Sequence, residues 1–165
     1  GWTYAKFLLG HERTGIAGIG SCKQQLARAR QLAGQQGLGD DALLQARLAQ
    51  FEIELIALEA TALRLLARGQ RSRVPQVEAS MLKVRGTELR QAIYETLLDI
   101  AGPDALPFSA EAQFLEFLDA ADDAPVAPEL ASVAANCLDA RKLSIYGGSN
   151  EVQRNLIAQA VLASH

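Results

Sequence analysis

The strongest pattern in the chain lies between residues 44 and 65. Leu44, Leu48, Phe51, Leu55, Leu58, Ala62 and Leu65 recur at alternating intervals of four and three. That is the period of an amphipathic helix with one apolar stripe. Asp40 or Asp41 is placed to cap its start, and Arg64, Arg68 and Gly69 close it, which predicts helix to about Ala67. The break Gly34-Gln35-Gln36-Gly37-Leu38-Gly39 separates it from an earlier element that begins near Gly15 and runs through Leu26, Ala29 and Ala33. Downstream, Pro75 suits the first position of a further helix, with Leu82, Leu89, Ile93, Leu97 and Ile100 on one stripe. Ala101-Gly102-Pro103 stops it. Residues 103–109 read as loop, and Ser109 can cap a short helix through Phe114, Leu115, Phe117 and Leu118. After a second loop from Asp122, Pro128 opens a helix carrying Leu130, Val133, Cys137, Leu138 and Ile145, and a last helix runs from Ser149 to about Leu162. Residues 2–10 are an apolar segment that ends in charge at His11-Glu12-Arg13. No segment alternates as a strand would, and no repeat is visible. The expected fold is all-α: one domain over residues 1–165, an antiparallel four-helix bundle of three long helices and a fourth, shorter pair.

Composition narrows the class. The chain has 165 residues, 49% of them hydrophobic, which excludes disorder and permits a sizeable core. The net charge is -3, and the basic residues Arg28, Arg30, Arg47, Arg64 and Arg68 are dispersed, as on solvated helix faces. Nothing in that distribution is a footprint for nucleic acid. Glu52, Glu54 and Glu59 sit mostly off the apolar stripe and read as solvated. The only histidines are His11 and His165, so no cluster with metal-ligand spacing exists. Cys22 and Cys137 stand in apolar helical contexts and read as buried free thiols of a reducing, cytoplasmic setting. No apolar run has transmembrane length and no signal peptide is present, so no membrane partner is expected. A start at Gly1 suggests a piece of a longer chain. The glycines of Gly15-Ile16-Ala17-Gly18-Ile19-Gly20 follow G-x-x-G-x-G, not the dinucleotide spacing, with no strand before them. Ala17, Gly18, Ser21 and Cys22 are better read as a face of small residues that another helix approaches.

One stretch carries more specific chemistry: Ile145-Tyr146-Gly147-Gly148-Ser149-Asn150-Glu151-Val152-Gln153-Arg154-Asn155. Paired glycines break a helix, Ser149 is a good N-cap, and Glu151 in the first turn suits the positive end of the helix dipole. Two readings stand side by side, a capped inter-helix turn and a place where a polar or anionic ligand meets backbone N–H groups.

The run from Ile145 to Ala158 resembles the C-terminal signature of the flavin-dependent acyl-CoA dehydrogenases. Gly1-Trp2 through Leu8-Leu9-Gly10-His11-Glu12-Arg13-Thr14-Gly15-Ile16-Ala17 is similar to the entry to that family's C-terminal helical domain. The order and separation of the two blocks match as well, so the resemblance covers essentially the whole chain. It implies the last domain of an enzyme with two more domains upstream. It also implies FAD as cofactor and an acyl-CoA thioester as substrate, hence a place in lipid metabolism. The α-proton goes to a Glu base and the β-hydride to flavin. Many members hold that base directly after the signature Tyr, where this chain has Gly147. A minority hold it just before the Arg that opens the long helix, and that position is Glu12. The resemblance therefore implies Glu12 as catalytic base, with Leu9, Arg13, Tyr146 and Gly147 beside the substrate and Gly148, Ser149 and Glu151 beside the cofactor. A desolvated Glu in an acyl pocket would have a raised pKa, as a base acting near neutral pH requires.

Two departures from the family pattern stand out. Where members carry Arg-x-x-Phe-Gly for the pyrophosphate of a neighbouring subunit's flavin, this chain reads from Arg28 to Gly37 without Phe. Where they carry Gln-x-x-Gly-Gly-x-Gly, it reads Leu97-Leu98-Asp99-Ile100-Ala101-Gly102-Pro103. The alternative function is therefore a non-catalytic or partner-dependent subunit of a heteromeric complex. In either case the resemblance implies a homo- or hetero-oligomer packed through the bundle, which would leave apolar faces open on a lone chain, and no turnover by this domain alone.

Overall fold

A computed structural model describes residues 15, 17–69, 76–106, 130 and 132–163. Among these there is no strand. The helices are α1 (Ile19–Gln35), α2 (Ala42–Gly69), α3 (Gln76–Ala101), α4 (Val133–Asp139) and α5 (Asn150–Leu162), with 3₁₀ turns at Gly102–Ala105 and Ala140–Ser144. The all-helical bundle expected from the periodicity is therefore present. The capping residue is Asp41: its Oδ1 accepts the Leu44 N–H at 2.7 Å.

α3 is the organising helix, since α1, α2, α4 and α5 all pack on it. Its expected stripe, Leu82, Leu89, Ile93, Leu97 and Ile100, is buried throughout. Leu48, Leu55, Leu58, Ala62 and Leu65 of α2 meet it, as do Cys22, Leu26, Ala29, Leu32 and Ala33 of α1. Burying one such leucine stabilises the fold by about 1.5–3 kcal/mol relative to leaving it in water. Both cysteines are buried and unpaired. Burial pushes the Cys22 thiol up to about 11, against a smaller opposing pull from Arg90.

Several expectations need correction. The helix that runs through Leu26, Ala29 and Ala33 begins at Ile19, not near Gly15. Ala17 precedes it and is buried where the chain crosses α3. A Cβ on Gly86 would lie 2.6 Å from both the Ala17 Cα and the Ala17 carbonyl oxygen. The close approach is thus made by a glycine of α3. The helix of Val133 ends at Asp139, and Leu138 and Ile145 are 70% and 68% exposed instead of completing its stripe. The acidic residues of α2 are not merely solvated. Glu59 pairs with Lys23 at 2.6 Å, Glu52 with Arg30 at 2.6 Å and Glu54 with Arg85 at 2.9 Å. Arg47 likewise pairs with Asp99 at 3.0 Å. Such half-exposed pairs each contribute at most about 1 kcal/mol, and they link α2 to α1 and α3. The segment 2–10, Pro75, the helix expected after Ser109 and Pro128 lie outside the described residues.

α2 also carries a second apolar stripe that the sequence reading passed over. Ala46, Ala49, Ile53, Ile56, Ala60, Leu63 and Ala67 recur at intervals of three and four, and all are exposed. The stripe spans about 30 Å of helix.

Candidate functional site

The site is the turn between α4 and α5. The 3₁₀ segment Ala140–Ser144 delivers the chain to it, and the N–H groups of Ile145 and Tyr146 both donate to the Lys142 carbonyl, at 2.9 and 3.0 Å. Gly147 and Gly148 then take positive φ angles of 67° and 93°. Two successive residues in that region call for glycine. At Gly148 the need is doubled, because a Cβ there would meet the Gln153 amide nitrogen at 2.4 Å. Ser149 follows in extended conformation (φ -60°, ψ 155°) and its Oγ accepts the Val152 N–H at 3.4 Å, the expected N-cap of α5.

One face of α3 holds this turn in place. Ser80, Lys83, Thr87 and Gln91 lie one or two turns apart on that face. Ser80 Oγ donates to Gln153 Oε1 at 2.7 Å. Lys83 Nζ donates to Asn150 Oδ1 at 2.7 Å. Asn150 Nδ2 in turn donates to Thr87 Oγ1 at 3.2 Å, and the Thr87 hydroxyl donates to the Val84 carbonyl at 3.0 Å. Gln91 Nε2 reaches the Ala140 carbonyl at 3.0 Å and Ser144 Oγ at 3.2 Å. On the rim, Arg154 pairs with Glu88 and Arg141 with Glu95. Ser80, Lys83, Thr87, Asn150 and Gln153 are all buried, and Lys83 is fully so. Sequence reasoning missed this ladder. Its signal was there, polar residues at helical spacing opposite the apolar stripe of α3, but that is also the pattern of a solvated face.

The electrostatics of the turn follow from these contacts. Burial lowers the Lys83 pKa, and the Glu151 charge acts against that. Glu151 itself is exposed. Its carboxyl is held below the usual range first by its own backbone N–H, then by the Ser149 hydroxyl, with smaller help from Arg154 and Lys83. The turn therefore offers a patch without side chains at Gly147 and Gly148, a hydroxyl at Ser149, an ionised carboxylate at Glu151 and a half-exposed ring at Tyr146, 51% accessible. The lowered pKa makes Glu151 a weaker base than an ordinary carboxylate, and Gly147 has no side chain to act as one. Among the described residues no cluster could hold a metal ion, and no helix is long and apolar enough to cross a membrane.

Of the residues singled out in the sequence, the structure brings Tyr146, Gly147, Gly148, Ser149 and Glu151 together at this turn. Glu12, Leu9 and Arg13 lie outside the described residues. A family model, the C-terminal domain of acyl-CoA dehydrogenase, matches residues 1–162. The chain belongs to the acyl-CoA dehydrogenase family. Two solved structures share the fold of this acyl-CoA dehydrogenase domain. The Tcur3481-Tcur3483 steroid ACAD aligns at 19% identity with a TM-score of 0.77, covering 99% of this chain and 39% of that one. A variant of the same protein aligns at 19% identity with a TM-score of 0.77, covering 99% and 40%. The chain thus spans about two fifths of their length. No curated protein matches the sequence.

The two departures from the family pattern also have structural counterparts. Arg28, half-buried, donates to Ser132 Oγ at 3.2 Å, and Arg30 is tied to Glu52. The second departure falls where α3 ends at Ala101 and tightens into the 3₁₀ turn Gly102–Ala105.

Proposed function

We propose that this chain is the C-terminal domain of a flavin-dependent acyl-CoA dehydrogenase that introduces an α,β-double bond into an acyl-CoA thioester. The observation that carries the proposal is the Tyr146–Ser149 turn: without side chains at Gly147 and Gly148, capped by Ser149 and open at the N-terminus of α5. Those residues fit one edge of an FAD ring, which needs close backbone approach and hydrogen-bond donors. Ser149 and Glu151 would hold that edge, with Gly148 allowing the approach and Tyr146 and Gly147 flanking the thioester. The bound flavin would supply the hydride-accepting chemistry.

The proton step belongs to this chain. Gly147 cannot act as base, so the proposal assigns that role to Glu12, with Arg13 and Leu9 beside the acyl-CoA. The test is Glu12→Gln in the full-length protein. General-base loss lowers turnover by about 10²–10⁴-fold. Turnover within a few-fold of the parent refutes the assignment.

A second reading is favoured by one specific observation. Arg28 and Arg30 are engaged within the chain, with Ser132 and Glu52. On that reading the chain is a partner-dependent or non-catalytic subunit whose companion completes the cofactor site. The visible spectrum of the full-length protein separates the two. Flavin absorption in the isolated subunit supports the first, and absorption that appears only after a companion subunit is added supports the second. The exposed stripe on α2 is the surface we assign to packing against another bundle, in a homo- or hetero-oligomer.

A further inference from the structure

We propose that Lys83 is a positioning residue: a buried cation that, through Asn150, locks the first turn of α5 and so holds the Gly147–Ser149 backbone in the conformation the cofactor needs. The inference rests on the flavin-binding reading given above and adds a residue to it.

The argument starts from cost. Lys83 is wholly inaccessible to solvent, and its only hydrogen-bond partner among the described residues is a neutral one, Asn150 Oδ1 at 2.7 Å. No carboxylate lies within ion-pair distance of it among the described residues. It also sits at the N-terminus of α5, where the helix dipole is positive and a cation is disfavoured. A buried charge without a counter-charge is destabilising, and an apolar side chain of the same length is often as stable or more so. Among the described residues only the Glu151 charge acts in favour of the cation, so stability by itself is a weak account of a lysine at this place.

Geometry accounts for it. Asn150 is the first residue of α5 and directly follows the capping Ser149. Lys83 fixes the Asn150 amide in one orientation, because its ammonium can only donate and so requires the amide oxygen. The amide nitrogen is thereby turned to Thr87, at 3.2 Å. Three residues further along α5, Ser80 Oγ donates to Gln153 Oε1, and the Gln153 amide lies over Gly148. Both ties end on the first turn of α5, one beside Ser149 and one over Gly148. The two glycines have no side chains of their own to define their course. Glu151, next to Asn150 in the chain, feels the Lys83 charge as the smallest of the influences on its carboxyl.

The experiment compares Lys83→Met, Asn150→Ala and the double variant in the full-length protein. It reads FAD dissociation constant, melting temperature without FAD, and amide hydrogen exchange over residues 147–152. Lys83→Met is expected to weaken FAD binding at least about tenfold and to speed exchange in that segment by about tenfold, while the melting temperature holds or rises. The double variant is expected to bind FAD no more weakly than either single one, because both remove the same tie. FAD affinity and exchange within twofold of the parent in Lys83→Met overturn the proposal, as does a fall in melting temperature with unchanged FAD affinity, which marks a purely structural residue. A parent protein that takes up no flavin, alone or with its companion, refutes the flavin-binding reading instead. The exchange data then still show whether Lys83 locks the turn.

Discussion

Gly86→Ala adds one methyl group where the structure has no room for it. The new carbon would stand 2.6 Å from the Ala17 Cα and carbonyl oxygen and 3.0 Å from the Ala17 carbonyl carbon. Ordinary contact begins near 3.4 Å, so backbone must separate by about 0.8 Å. Overpacking of this kind costs about 1–3 kcal/mol. Replacing a helical glycine by alanine returns up to about 1 kcal/mol, so mid-range values leave a net loss of about 1–2 kcal/mol. Gly20→Ala is the control. It also lies in a helix, but nothing stands within 4 Å of its added carbon. It is expected to be neutral or stabilising by up to about 1 kcal/mol. With a urea slope of about 2 kcal/mol per molar, the midpoints of the two variants differ by about 1 M. Urea unfolding at one fixed protein concentration, with both variants side by side, measures this. The consequence also extends to function. Ala17 follows the segment that carries Glu12, so on the proposed base assignment a displaced Ala17 is expected to lower acyl-CoA turnover of the full-length protein, where Gly20→Ala does not. A Gly86→Ala protein as stable as the parent would refute the close-approach reasoning.

The remaining predictions concern the exposed stripe and the buried thiol. Ile56→Glu and Leu63→Glu place carboxylates on the open stripe of α2, and each is expected to abolish self-association seen by light scattering while leaving the helical circular dichroism unchanged; an unaffected mass refutes the assignment of that face. Cys22 has a folded pKa of about 11 against an ordinary 9.0. The unfolded chain therefore releases the proton first, and stability is lost as pH rises from 9 to 11, by about 1 kcal/mol per unit. Urea midpoints at pH 8 and pH 10 check this: the parent is expected to lose ground to Cys22→Ala on going to the higher pH, and a constant gap sinks the prediction. The same burial should leave Cys22 unreactive to thiol reagents at pH 8 until the protein is unfolded.

Much of the fold was legible in the chain because it rests on local, periodic signals. The stripe of α2 from Leu44 to Leu65, the stripe of α3, the Asp41 cap and the Ser149 cap each depend on residues within a few turns of one another. The glycine pair before Ser149 marked the turn for the same reason, since positive φ is a property of single residues. The family followed from the two motifs and their order. What local signals could not supply was pairing. Ser80, Lys83, Thr87 and Gln91 read as a solvated face until α5 was laid on them. Nothing in the sequence distinguishes a polar face turned to water from one turned to Asn150 and Gln153. The need for Gly86 arose only from Ala17, about seventy residues earlier. The acidic residues of α2 found their partners on α1 and α3 in the same way. The second stripe of α2 shows the converse: its period was readable throughout, but one chain has only one core, and the tertiary structure decided which stripe that core would take. Periodicity along the chain determines which helices form, whereas burial, and with it the meaning of a lysine or a glycine, is decided by what packs against them.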